Sequence, residues 1–305
     1  MKKLLAVLLA ALLLAFSVSC TDSSDESSQA ESVGESSDSL LENAKKVLRS
    51  LEYKNIGKMG DTDGPAFAVY SNVGFSAAEV TLDIAGMDIN TLMPDGRYVN
   101  GYSFLGIDVY NSGDYWMNCV DAGLCWSGAK GGWHLFYNLY EPLNESTPTW
   151  YESRRILPKD DVYTMKLELI GNDKALLTIK GENSGKTDSI ELEVKGALAD
   201  GSNTAFLFNT ALDYPPDTKL DQNGDPTEDW VEITLANSDK GIKLRDFRAS
   251  GLKLFKGETA TAWSDADTAA VSIWPDKTIK GFDYSPTEIG VINSDEFYIN
   301  LDMNR

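Results

Sequence analysis

The chain has 305 residues, with 47 Asp and Glu against 27 Lys and Arg, a single histidine and a formal net charge of -20 at pH 7. That charge makes nucleic acid and anionic lipid headgroups poor partners and leaves neutral ligands and cations, although it serves equally to keep an exported protein soluble without any ligand. The length accommodates one large β domain or two small ones, with enough chain for a sizeable core.

Lys2 and Lys3 precede an unbroken apolar run from Leu4 to Phe16, and Ser17-Val18-Ser19-Cys20 then opens into Thr21-Asp22-Ser23-Ser24-Asp25-Glu26. A basic start, a short apolar stretch and small residues read as a secretory signal. The run is too short for a bilayer span, which takes ~20 residues. A signal ending in Cys after small residues resembles the bacterial lipoprotein signal, with Ser17 standing where Leu is commonest. The resemblance implies that residues 1–20 form a lipoprotein signal and that the Cys20 thiol receives diacylglycerol, so that the membrane is met through the N-terminal lipid alone. Two acyl chains, at about 0.8 kcal/mol per buried CH₂, anchor stably where one is marginal. An ordinary cleaved signal would instead leave Cys20 as a free thiol.

The segment that follows carries Asp22, Asp25, Glu26, Glu31, Glu35 and Asp38, no Lys or Arg, and many serines. It has nothing to bury, so 21–38 reads as a disordered, self-repelling tether with a reach of about 25 Å. Between Ser39 and Tyr53 the apolar residues Leu40, Leu41, Ala44, Val47, Leu48 and Leu51 recur at helical spacing, and Ser39 with Glu42 makes a capping box. One short amphipathic helix is therefore predicted over 39–58.

After Gly60 the pattern changes to period two. Strands are expected at Pro65–Ser71, Ser76–Ala85, Tyr102–Tyr110, Asp114–Val120, Trp133–Tyr140, Val162–Ile170, Ala175–Gly181, Ser189–Lys195, Thr204–Thr210, Trp230–Ala236, Ile242–Phe247 and Gly251–Lys256. The tail adds Ala270–Trp274, Glu288–Ile292 and Phe297–Leu301. Consecutive strands without intervening helices exclude the alternating architecture of importer-type solute-binding lipoproteins. They predict an all-β, antiparallel jelly-roll sandwich of two curved sheets.

Two stretches sharpen this expectation. The hairpin Val162–Ile170 with Ala175–Lys180, and the later pair Trp230–Leu235 with Phe247–Phe255, resemble the central hairpin and closing strands of the concanavalin A-like lectin and glucanase superfamily. The similarity spans roughly 59–258 and leaves 259–305 as a C-terminal β extension. It implies two curved sheets and, in many members, glycan binding or cleavage on the concave side.

The densest aromatic region runs from Tyr110 to Tyr151. Alternation along Asp114–Asn118 places Asp114, Trp116 and Asn118 on one face. An indole flanked by a carboxylate and an amide suits a sugar, whose apolar face stacks on the ring while its hydroxyls pair at the edge. Trp126, Trp133 and Tyr137 add further candidate rings, although Trp in a sandwich also commonly belongs to the core. With Cys20 lipidated, Cys119 and Cys125 remain as an even pair in an oxidising compartment and are expected to form a disulfide, which for so short a loop contributes about 2 kcal/mol. A zinc site is the weaker alternative, because His134 is the only histidine.

Asp221, Asn223, Asp225 and Asp229 place oxygens at alternate positions around Gly224, which resembles the start of a calcium loop. Pro226, the absence of a twelfth-position Glu and the strand that follows depart from the EF-hand pattern, and a solvated acidic turn is the alternative. No Glu-x-Asp-x-(x)-Glu motif of the glucanases occurs. The nearest pair, Glu191 and Glu193, has Lys195 on the same face and reads as a salt-bridged solvent face. The expectation is a surface-anchored, non-catalytic, lectin-like lipoprotein binding poly- or oligosaccharide, with calcium as a candidate cofactor. The alternatives are a glycoside hydrolase of the glucanase type and a protein-binding adhesion or assembly module.

Overall fold

A computed structural model describes residues 63–112, 115–214, 240–274, 286–293 and 295–303. Cys20, the tether, the predicted helix, Asp114, the calcium-loop residues Asp221, Asn223, Asp225 and Asp229, and the expected strand 230–236 lie outside the described residues.

The described chain is an all-β sandwich of two antiparallel sheets. The strands are β1 (Asp63–Ser71), β2 (Ala77–Asp83), β3 (Asp88–Asn90), β4 (Gly101–Tyr110), β5 (Trp116–Ser127), β6 (Gly132–Leu139), β7 (Trp150–Glu152) and β8 (Val162–Gly171). They continue with β9 (Lys174–Gly181), β10 (Thr187–Glu193), β11 (Thr204–Asp213), β12 (Lys243–Lys256), β13 (Thr259–Ala262), β14 (Thr268–Trp274), β15 (Thr287–Val291) and β16 (Glu296–Asp302). One sheet runs β14-β1-β11-β4-β5-β6-β7; the other runs β10-β9-β8-β2-β12-β16-β15, with β3 and β13 also paired to β12.

The period-two pattern forms these strands because one side of each is buried between the sheets. In β8, Tyr163, Met165 and Leu167 point into the core, while Lys166 and Glu168 face out and pair at 2.6 Å. Opposite them, β4 contributes Leu105, Ile107 and Val109, and β11 contributes Phe206 and Phe208, all fully or nearly fully buried. Each such side chain contributes about 1.5–3 kcal/mol relative to an exposed one. The outer face of the larger sheet is polar and laced with ion pairs such as Lys253 with Glu79 at 2.8 Å.

Three departures from the sequence reading have physical causes. First, β5 does not end at Val120 but runs through both cysteines, which are free thiols. Six residues of extended chain hold them about 20 Å apart, far beyond disulfide reach. Second, the tail is not an appended extension. β14 pairs with β1 in the smaller sheet and β16 with β12 in the larger, so both sheets need it. Third, β3, β7 and β13 are only three or four residues long, too short to show a period.

Candidate functional site

The outer face of the seven-stranded sheet differs from that of its partner: it is aromatic and acidic. Cross-strand register assigns its members, since directly paired residues share a face. One row crosses Leu207, Gly106, Asp121, Asn138 and Trp150; a second crosses Asn209, Phe104, Gly123, Phe136 and Glu152; a third crosses Tyr102, Cys125 and His134. Asp108 stands opposite Cys119 in the next row.

Toward the β4–β5 turn, the register passes from Val109 opposite Asn118 to Tyr110 opposite Trp116, leaving Met117 as an unpaired extra residue. A bulge of this kind turns the following side chain to the opposite face. Trp116 therefore lies on the outer face with 44% of its surface exposed, donates its indole N–H to Asp108 Oδ1 at 3.0 Å and meets Tyr140 edge-on at 5.0 Å. Burial raises the Asp108 carboxyl to about 6, an effect the Trp116 hydrogen bond partly offsets.

Further along, Trp150 is 43% exposed and rests on Phe136 at 5.3 Å, with Tyr102 edge-on at 6.3 Å. Tyr102 donates its hydroxyl proton to Asp213 Oδ2 at 3.1 Å. In the same row as Trp150 lie Asp121 and the exposed amide of Asn138. Gly106 leaves the room Asp121 occupies, since a Cβ there would sit 2.8 Å from Asp121 Oδ1. Register separates Trp116 from Trp150 by about 13 Å along the strands and about 10 Å across them. The result is a platform with an aromatic ring at each end, Asp108 beside Trp116 and Asp121 and Asn138 in the row of Trp150.

The predicted site residues divide accordingly. Trp116 is on the platform. Asn118 faces the other way and is buried; its amide donates to the Glu141 and Lys195 carbonyls at 3.2 and 3.1 Å and its Oδ1 accepts from the Glu141 N–H at 3.0 Å, bracketing the β6–β7 loop. Trp133 is fully buried between the sheets, Tyr137 is buried and stacked on Tyr151 at 5.3 Å, and Trp126 packs on the core with its indole N–H on Thr91 Oγ1. Their strand parity points them inward, away from the platform. Asp108, Asp121, Asn138 and Trp150 complete the face; the sequence signal for them is the same alternation, read one residue out of phase.

Other chemistry is absent among the described residues. No group of His, Cys, Asp and Glu is arranged to hold a metal. His134 is fully buried and donates from Nδ1 to the Ser153 carbonyl at 2.8 Å, with no carboxylate or nucleophile on it. Burial, reinforced by Asp121 and Asp108, pushes the Cys119 thiol far up, and burial with Glu152 and Asp213 does the same to Cys125. Neither forms a nucleophilic thiolate. Glu193 spends its carboxylate on the Leu143 N–H, the Asn144 amide and the Thr147 hydroxyl, which pins the β6–β7 loop.

The chain matches no protein-family model and no curated protein sequence. Among solved structures it is similar to scytalido-glutamic peptidase with a transition state analogue inhibitor, at 10% identity and TM-score 0.42 over 78% of this chain and 98% of that one. It is also similar to SCP-B, a member of the eqolisin family of peptidases in complex with a tripeptide, at 9% identity and TM-score 0.41 over 78% and 98%. A third likeness is to tailspike protein 2 of the Escherichia coli O157:H7 bacteriophage CAB120, at 10% identity and TM-score 0.29 over 72% of this chain and 31% of that one. At these values the likenesses bear on no residue or activity of this chain.

Proposed function

We propose that this chain is a lipid-anchored, non-catalytic glycan-binding protein whose saccharide ligand lies across the outer face of the seven-stranded sheet. The observation that carries the reading is the pair of half-exposed indoles, Trp116 and Trp150, on one face with Asp121 and Asn138 in the row of Trp150. Soluble proteins seldom leave large rings exposed together on one strand layer without a partner to cover them, and sugars stack on such rings while bonding to carboxylate and amide edges. A glycan array on the purified protein, followed by calorimetry on the strongest hit, tests it. Trp116→Ala and Trp150→Ala should each weaken binding about tenfold or more, the loss typical of one aromatic anchor, with the fold retained and only a modest fall in melting temperature from the lost Asp108 and Phe136 contacts. Binding that survives both substitutions would place the ligand elsewhere.

One observation favours a second reading. The Asp108 carboxyl, raised to about 6, lies diagonally across the strand pair from Asp121, and glycoside hydrolysis needs one protonated and one ionised carboxyl flanking the bond. Release of reducing ends from a bound polysaccharide, abolished by Asp108→Asn or Asp121→Asn, would establish that reading. We expect none. The anchor is tested separately: Cys20→Ala should move the protein from the membrane fraction to the medium or leave an unprocessed precursor, and a processed, membrane-bound mutant would refute lipidation.

A further inference from the structure

A cleft of about 380 Å³ opens away from the platform, where the β5–β6 turn, the β7–β8 connection and the β9–β10 turn meet. Its lining includes Arg155, Lys159 and Lys186 with a single carboxylate, Asp160, and Trp126 with Ile156 and Leu157 as apolar wall. This composition inverts that of the whole chain, where acids outnumber bases 47 to 27.

The cations are only partly neutralised by the protein. Arg155 reaches Asp188 only at 3.5 Å, and among the described residues Lys159 and Lys186 make no ion pair. All three are exposed. Several lysines elsewhere are matched at short range, as Lys166, Lys195 and Lys253 are with Glu168, Glu141 and Glu79 at 2.6–2.9 Å. With Asp160 in the lining and Asp188 beside Arg155, the cleft keeps an excess of positive charge carried by the two lysines unpaired among the described residues, and an anion seated among them relieves their repulsion. At physiological salt, screening over about 8 Å removes most of the opposing influence of remote carboxylates.

The cleft is held open by local structure. Leu157 donates its N–H to the Trp133 carbonyl at 2.9 Å, which lays the 155–160 strap along the β6 edge, and a Cβ on Gly132 would lie 2.7 Å from Ile156, so only glycine admits the strap this closely. The Asp161 carboxylate accepts the Asn183 N–H at 2.8 Å and the Ser184 N–H at 3.2 Å. That bracket fixes the turn carrying Lys186 against the strap carrying Arg155 and Lys159.

We propose that this cleft is a second ligand site, which takes the anionic group of an acidic saccharide, a uronate carboxylate or a sulfate ester, with the sugar ring against Trp126 and Ile156. The saccharide part of the proposal rests on the glycan-binding reading above; the anion part rests on the cleft alone. Arginine supplies a forked donor pair to such a group and the two lysines supply point charges.

The test uses the full-length protein and calorimetric titration with three probes of matched length: an oligouronate, a sulfated oligosaccharide and a neutral oligosaccharide. Wild type should bind at least one charged probe about tenfold or more tighter than the neutral one, with the advantage shrinking as salt rises from about 50 to about 500 mM. The triple variant Arg155→Gln, Lys159→Gln, Lys186→Gln should lose that advantage and keep its melting temperature, because all three side chains are exposed. Which charged probe prevails separates carboxylate from sulfate. A wild type that binds charged and neutral probes alike, or a triple variant with the full salt-sensitive advantage, overturns the proposal. If the double variant Trp116→Ala, Trp150→Ala abolishes binding of every probe while the triple variant changes nothing, the platform reading stands and the cleft proposal falls. Charged-probe binding that survives the double variant but not the triple supports the cleft even if the platform reading fails.

Discussion

Asp161→Ala is expected to destabilise the protein by about 1–2 kcal/mol at pH 7, since its carboxylate serves three backbone donors, of which those of Asn183 and Ser184 belong to exposed residues that water can reach. Asp161 is 1% exposed, and its carboxylate accepts from the backbone N–H groups of Val162, Asn183 and Ser184 at 2.8, 2.8 and 3.2 Å. Burial by itself pushes this carboxyl up, but the hydrogen bonds from Ser184, Asn183 and Val162 together outweigh it and hold the group below its ordinary value of 3.8. A folded-state value below the unfolded one makes the stabilisation present above about pH 3.8 and lost as pH falls through the depressed folded value. Urea unfolding of wild type and variant should therefore show a gap at pH 7 that narrows below pH 3. Equal midpoints at pH 7 would mean that the bracket between the β7–β8 connection and the β9–β10 turn contributes nothing. The same variant should loosen the turn that carries Lys186, so the charged-probe preference proposed for the cleft should fall with it.

Asp108→Asn is expected to act in the opposite direction and raise stability at pH 7 by on the order of 3 kcal/mol, the free energy that corresponds to a carboxyl raised from 3.8 to about 6. The carboxyl rises from 3.8 to about 6, chiefly by burial and against the opposing Trp116 hydrogen bond. A raised folded value means that the stabilising contribution of the protonated group is complete below about pH 3.8 and is lost as pH climbs through about 6. Asparagine stays neutral throughout and keeps an oxygen for the Trp116 indole N–H, so its benefit should be absent below about pH 3.8, build up across that window and be complete above about pH 6. Melting temperatures of wild type and variant should separate progressively from about pH 4 and reach a constant gap above about pH 6, and a constant offset at all pH values would contradict the assignment. Trp116 emission should report the same titration in wild type and lose it in the variant.

The β8–β9 hairpin was legible because both strands alternate cleanly: Met165, Leu167, Leu177 and Ile179 are apolar at every second position and only one face is dry. The same logic failed along β5 and β6, where both faces carry apolar or aromatic residues. On β6, Trp133, Leu135 and Tyr137 point in while Phe136 points out against Phe104. Alternation there separates two sets without saying which is the interior. The Met117 bulge then reverses the parity at the end of β5, which is why Trp116 and Asn118 part company and why the platform had to be read from register.

The all-β class, the longer alternating strands and the aromatic richness between Tyr110 and Tyr151 were determined by the sequence alone, because side-chain period and composition are local properties of the chain. The free state of Cys119 and Cys125 was decided only in three dimensions, since their separation depends on whether the chain between them turns or extends. So was the tail's place in both sheets, because strand pairing is a contact between segments distant in sequence. The cleft makes the point most directly: Arg155, Lys159 and Lys186 are unremarkable bases in an acidic chain until the β9–β10 turn, held by Asp161, brings the third alongside the first two. Charge converges there through packing, and no linear pattern encodes that convergence.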